Sequence, residues 1–85
     1  VFVLSIEQKE PLTDSKAVKL ALLASDLSIK KAGDLIGISY TVLNDKILNR
    51  RNFKAVEIYK LSKLLRLSGK EVIQIFLRGY LDEEN

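Results

Sequence analysis

An all-α fold of five short helices is predicted by three observations. Apolar residues recur at three- and four-residue spacing, a capping residue precedes four of the five periodic runs, and glycine or asparagine closes two of them. Eighty-five residues support one domain with a single core. Leu and Ile dominate the apolar share, so the chain has the material to fold. It contains no Cys and no His, which removes disulfide and thiol chemistry, the commonest metal ligand and the commonest acid/base group. No carboxylate pair stands out, nor any nucleophile beside a base, so a non-enzyme without catalytic residues, metal or cofactor is expected. The longest apolar runs, 1–4 and 21–24, are too short to cross a bilayer. A cytoplasmic protein with no membrane partner is the expectation.

Residues 1–12 include Val-Phe-Val-Leu-Ser-Ile and read as an N-terminal extended arm or short strand. With no partner strand in the chain, the arm would be disordered or would pair with a second subunit. Pro11 separates it from a first helix capped by Thr13 or Asp14, with Val18, Ala21, Leu22 and Ser25 on one stripe. Ser28 caps a second helix, in which Ala32, Leu35 and Ile36 point inward and Lys30, Lys31 and Asp34 face water. Gly37 ends it, and Ile38 returns to the core. Ser39 caps a third helix over 40–48, with Leu43 and Ile47 inward and Tyr40, Thr41, Asn44 and Asp45 outward. Asn49 stops this helix, because asparagine tolerates the left-handed region. A fourth apolar run covers 53–66. Ser68 and Glu71 have capping-box spacing and open a fifth helix to about residue 80. The folded domain is thus 13–81, followed by an acidic tail, 82–85.

The second and third helices are joined by only three residues and must cross closely. A glycine inside a helix costs about 1 kcal/mol relative to alanine, so Gly33 is explained by close backbone approach and not by propensity. A helix-turn-helix unit over 28–49 follows. The charge is unevenly spread around it. Residues 28–70 carry ten bases against three acids, a net +7, whereas the remainder carries four against eight, a net −4, giving the overall +3. A basic centre of this kind suits a polyanion, since neutralising phosphates releases counterions.

The stretch Leu27-Ser28-Ile29-Lys30-Lys31-Ala32-Gly33-Asp34-Leu35-Ile36-Gly37-Ile38-Ser39 resembles the opening of the phage repressor and Cro type of helix-turn-helix domain. Ser39 to Asn49, then Phe53, Glu57-Ile58-Tyr59-Lys60-Leu61, Leu64-Leu65, Leu67-Ser68 and Glu71-Val72-Ile73 through Ile75-Phe76-Leu77, are similar to small Cro-like regulators of Gram-positive phages and mobile elements. The likeness runs from about 18 to 77 without an insertion. It implies a five-helix lambda-repressor-like DNA-binding domain that places its third helix in the major groove, as a homodimer on a pseudo-palindromic operator. Four positions depart from the pattern: Ile29 stands where a polar residue is frequent, Asp45 where a base is usual, Ala32 for leucine and Asn49 for the turn glycine.

Helix geometry then assigns base contacts to Tyr40, Thr41, Asn44 and Asp45. Asn44 can pair with an adenine edge, and Asp45 can accept from a cytosine amino group or pair with Lys46 or Arg50. Backbone phosphates are assigned to Lys30, Lys31, Arg50, Arg51, Asn52 and Lys54. Val72, Ile73, Ile75, Phe76, Leu77, Tyr80 and Leu81 cover more of the fifth helix than one core face requires, which points to a dimer interface at Phe76, Leu77, Tyr80 and Leu81, or else to cover by the first helix or the N-terminal arm within one molecule. The function expected is transcriptional regulation by occupancy, as a repressor. The alternative is a protein-interaction module on the same fold, of antirepressor or antitoxin-like type.

Overall fold

The computed structural model describes residues 12–78. Among them are five helices, α1 (Ser15–Ala24), α2 (Ile29–Ile36), α3 (Tyr40–Ile47), α4 (Ala55–Leu65) and α5 (Gly69–Phe76), and no strand. The extended arm expected before residue 12 lies outside the described residues. None of the described helices is long and apolar enough to cross a membrane.

Each boundary has a local cause. Asp14, Ser28, Ser39 and Ser68 sit in extended backbone, and each side chain accepts the N–H three residues on, satisfying a donor that the first helical turn leaves free. Lys54 has no such acceptor. There Glu57 reaches back to the Lys54 N–H (2.9 Å), so α4 begins at Ala55 and not at Phe53. Four helices end alike, on a left-handed residue: Asp26, Gly37, Asn49 and Arg66. After each, the next N–H bonds back five residues, from Leu27 to Leu22, Ile38 to Gly33, Arg50 to Asp45 and Leu67 to Ser62. Leu27, Ile38 and Leu67 use this turn to pack against the core. Arg50, in the same slot after α3, is exposed. The fifth helix stops at Phe76, earlier than its apolar pattern suggests, because Leu77 leaves helical backbone.

The core is built from Val18 and Leu22 of α1, Ala32 and Ile36 of α2, Leu43 and Ile47 of α3, Leu61 and Leu65 of α4 and Phe76 of α5. Phe53 meets Phe76 edge to face, with ring centres 5.2 Å apart, and closes the end where α4 starts and α5 finishes. Leu35, expected inside, is 54% exposed. It lies at the rim of an open groove between α2 and α4.

Gly33 is a buried residue of α2 on which the turn into α3 rests. A β-carbon there would lie 2.7 Å from the Ile38 carbonyl oxygen, which is backbone and cannot rotate away. The same oxygen-bearing turn is tied to α2 by the Gly37 and Ile38 N–H groups, both donating to the Gly33 carbonyl. Gly33→Ala should therefore destabilise the fold by about 1–3 kcal/mol despite alanine's better helix propensity. Urea denaturation should show the lower midpoint, and an unchanged or raised midpoint would contradict the close approach.

Candidate nucleic-acid interface

One buried stripe fixes the orientation of α3. Leu43, Lys46 and Ile47 face inward at three- and four-residue spacing. The opposite side is polar. Tyr40 and Thr41 are exposed on its first turn, and Asn44 and Asp45 are half-buried one turn later. Ser39, by accepting from the Val42 N–H (3.2 Å), sets where that first turn begins.

Lys46 does not belong to the basic surface. Its ammonium is 2.5 Å from Glu57 Oε1, with both side chains buried. Burial alone would raise the Glu57 pKa, but the hydrogen bond from Lys46, the Lys54 N–H and the charges of both lysines hold it below its ordinary value. A carboxylate at the third position of α4 thus joins α3 to the start of α4. The i, i+3 relation to Leu43 was the available sign that Lys46 points inward. Removing one lysine and one glutamate from the surface leaves the +7 of residues 28–70 unchanged.

Asp45 gathers the basic loop. Its Oδ1 lies 3.3 Å from Arg50 Nη1 and its Oδ2 4.0 Å from Arg51 Nε, with both arginines exposed. Of the two partners considered for Asp45, Arg50 is the one found. Asn52 and Lys54 are exposed in the same loop. Lys30 and Lys31 are exposed at the start of α2, and Lys30 reaches Asp34 at 3.5 Å. Ile29 packs against the core, which leaves the polar work at this end to the lysines after it.

Asn49 does more than end α3. Its Oδ1 accepts from the Thr13 N–H (3.0 Å) and its Nδ2 donates to the Thr13 carbonyl (2.9 Å), so one side-chain amide satisfies both backbone groups of a buried residue. The chain before α1 is held from the other side by α5. Asp14 N–H donates to Ile75 O (2.7 Å) and Arg78 N–H to Leu12 O (2.9 Å). The end of α3, the entry to α1 and the exit of α5 are therefore one hydrogen-bonded junction. Nothing in the spacing of Thr13 and Asn49, thirty-six residues apart, announces it.

The residues expected at a dimer interface separate. Phe76 is spent in the core, 2% exposed against Phe53, and has no surface to offer another subunit. Leu77 is exposed, with Ile73 one turn before it. Tyr80 and Leu81 lie outside the described residues.

No family model, curated protein or solved structure matches the chain.

The Glu57 carboxylate makes a testable contribution to acid stability. With its folded pKa below the unfolded value, it stabilises the fold at neutral pH, and this contribution is lost as pH falls through the folded pKa. Glu57→Gln should lower the urea midpoint at pH 7 and show a smaller further loss between pH 5 and 3, ranges about the ordinary carboxylate pKa. Parallel loss in both proteins would rule out the lowered pKa. Lys46→Ala, which strands a buried carboxylate, should cost about 3 kcal/mol at neutral pH.

Proposed function

We propose that the chain is a sequence-specific DNA-binding regulator of transcription, a repressor of phage Cro-like kind acting in the cytoplasm by occupancy, with α3 in the major groove. The observation that carries this reading is the pairing of a polar outer face on α3, Tyr40, Thr41 and Asn44, with exposed Arg50 and Arg51 gathered at its end by Asp45. Helices entering the major groove read base edges with their N-terminal turns, and adjoining loops hold the phosphates. Asn44 supplies the donor and acceptor that an adenine edge requires, and Thr41 and Tyr40 supply hydroxyl or apolar contact. Lys30, Lys31, Arg50, Arg51, Asn52 and Lys54 serve the backbone, with Ser28 positioning the first turn of α2.

Two of the departures from the resembled pattern, Ile29 and Asp45, have local roles compatible with this reading. Ile29 is a packing residue, and the Asp45 charge is balanced by two arginines. A homodimer on a pseudo-palindromic operator is part of the proposal, since it places two copies of α3 about one duplex turn, ~34 Å, apart. Ile73 and Leu77 supply an apolar face for it.

Selection of duplexes from a random pool tests the reading directly, and failure to enrich any sequence would overturn it. Asn44→Ala should lose about 1–3 kcal/mol on the selected site and relax discrimination at one base pair, measured by titrating matched and mismatched duplexes. Arg50→Ala should weaken all duplexes alike and reduce the slope of log affinity against log salt by about one unit. An unaltered slope would exclude Arg50 from phosphate contact.

A further inference from the structure

Away from α3, an open groove of about 440 Å³ runs between α2 and α4, lined by Leu35, Ile36, Tyr59, Lys60, Lys63 and Leu64. At Leu64 it meets a second concavity of similar volume, lined also by Ala24, Ser25, Leu27 and Arg66. Together they follow α4 from Tyr59 to its end, about two turns or ~10 Å of helix. The apolar lining is open to solvent, with Leu35 54% and Tyr59 61% exposed. Lys60, Lys63 and Arg66 stand along it at three-residue spacing, all exposed. Among the described residues no acid lies within ion-pair distance of any of the three, and the lining itself contains no carboxylate.

This chemistry selects among occupants. A nucleic acid would set phosphates and sugars against an apolar lining, which costs their hydration without a compensating bond. Nor does Tyr59 offer an open ring for a base to stack on, since Lys63 Nζ lies 5.5 Å from its centre. A groove between two helices, apolar inside and with three cations along it, instead fits an amphipathic helix whose apolar stripe enters the groove and whose carboxylates meet the cations. The described helices of this chain do not qualify. α1 has no acid, and α2, α3, α4 and α5 have one each, Asp34, Asp45, Glu57 and Glu71, of which Glu57 is buried. We propose that the groove along α4 receives an acidic amphipathic helix of a partner protein, with its apolar stripe on Leu35, Tyr59 and Leu64 and its carboxylates on Lys60, Lys63 and Arg66. The contact uses neither the outer face of α3 nor Arg50 and Arg51, so it stands or falls apart from the proposed function.

Titration of the whole, isotope-labelled chain with a synthetic helix tests it. The probe is a peptide of about three turns with leucines at i, i+3, i+4 and i+7 and glutamates between them, and its control carries lysines in place of the glutamates. The glutamate peptide should saturably shift the amide resonances of Leu35, Tyr59 and Leu64, and the lysine peptide should not. Lys60→Glu with Lys63→Glu, at unchanged helical circular dichroism, should weaken the glutamate peptide about tenfold and admit the lysine peptide. No saturable shift, equal binding of the two peptides, shifts confined elsewhere or a double variant without effect would each overturn the proposal. Three other occupants would overturn it too, each with its own sign. Movement of the same resonances on Asp82→Lys with Glu83→Lys and Glu84→Lys, without peptide, would put the chain's own acidic end in the groove. Dependence of those resonances on protein concentration would put a second copy there. Their movement by single-stranded DNA, lost in the lysine double variant, would assign the groove to nucleic acid.

Discussion

Glu57 accepts from two donors that arrive from different directions, the Lys46 ammonium on α3 and the Lys54 N–H at the start of α4. α3 packs chiefly on α2, through the Gly33 turn, and α2 in turn packs on α4. Without the carboxylate, the inward side of α3 would carry an unpaired charge between Leu43 and Ile47. A buried ammonium is tolerated only where an acceptor meets it, so the pair restricts how α3 can sit on α4 more than it adds to stability. The loop between the two helices is thereby anchored at both ends, and that loop carries the arginines.

The helix ends extend the same constraint. In three of the four left-handed terminations the following residue is Leu27, Ile38 or Leu67, whose side chain packs against the core and fixes the turn by burial. After α3 the slot holds Arg50, which cannot fix anything by burial. Asn49 compensates. Its amide grips both backbone groups of Thr13, and Thr13 is flanked by residues bonded to Ile75 and Arg78. Polar contacts hold this one terminus as apolar packing holds the others, which leaves the arginine side chain at the surface, where Asp45 meets it.

Local rules made most of the fold legible. Four caps, the left-handed Gly37 and Asn49 and the close approach at Gly33 follow from residue type and short spacing, and the structure has all of them. What escaped depends on partners distant in sequence. Lys46 counts as surface charge until Glu57 is seen beside it, and Phe76 counts as spare apolar surface until Phe53 covers it. Leu35 shows the converse, since its spacing matches the buried stripe but it stays 54% exposed. The outer residues of α3 were read from periodicity, whereas the grouping of Arg50 and Arg51 on Asp45 needed the path of the loop.

An acid within a basic surface is then easier to understand. Free arginine side chains lose about 2 kcal/mol of rotamer freedom when fixed. Asp45 restricts Arg50 and Arg51 in advance, through exposed pairs worth about 0–1 kcal/mol, weak enough for a phosphate to exchange with. Any phosphate must compete with that carboxylate, whatever the base sequence. On the proposed reading, Asp45 thus lowers sequence-independent affinity, and a larger part of the binding must come from Tyr40, Thr41 and Asn44, where bases differ. If the proposed function holds, an acid at this position shifts the surface toward discrimination and away from general attachment to a polyanion.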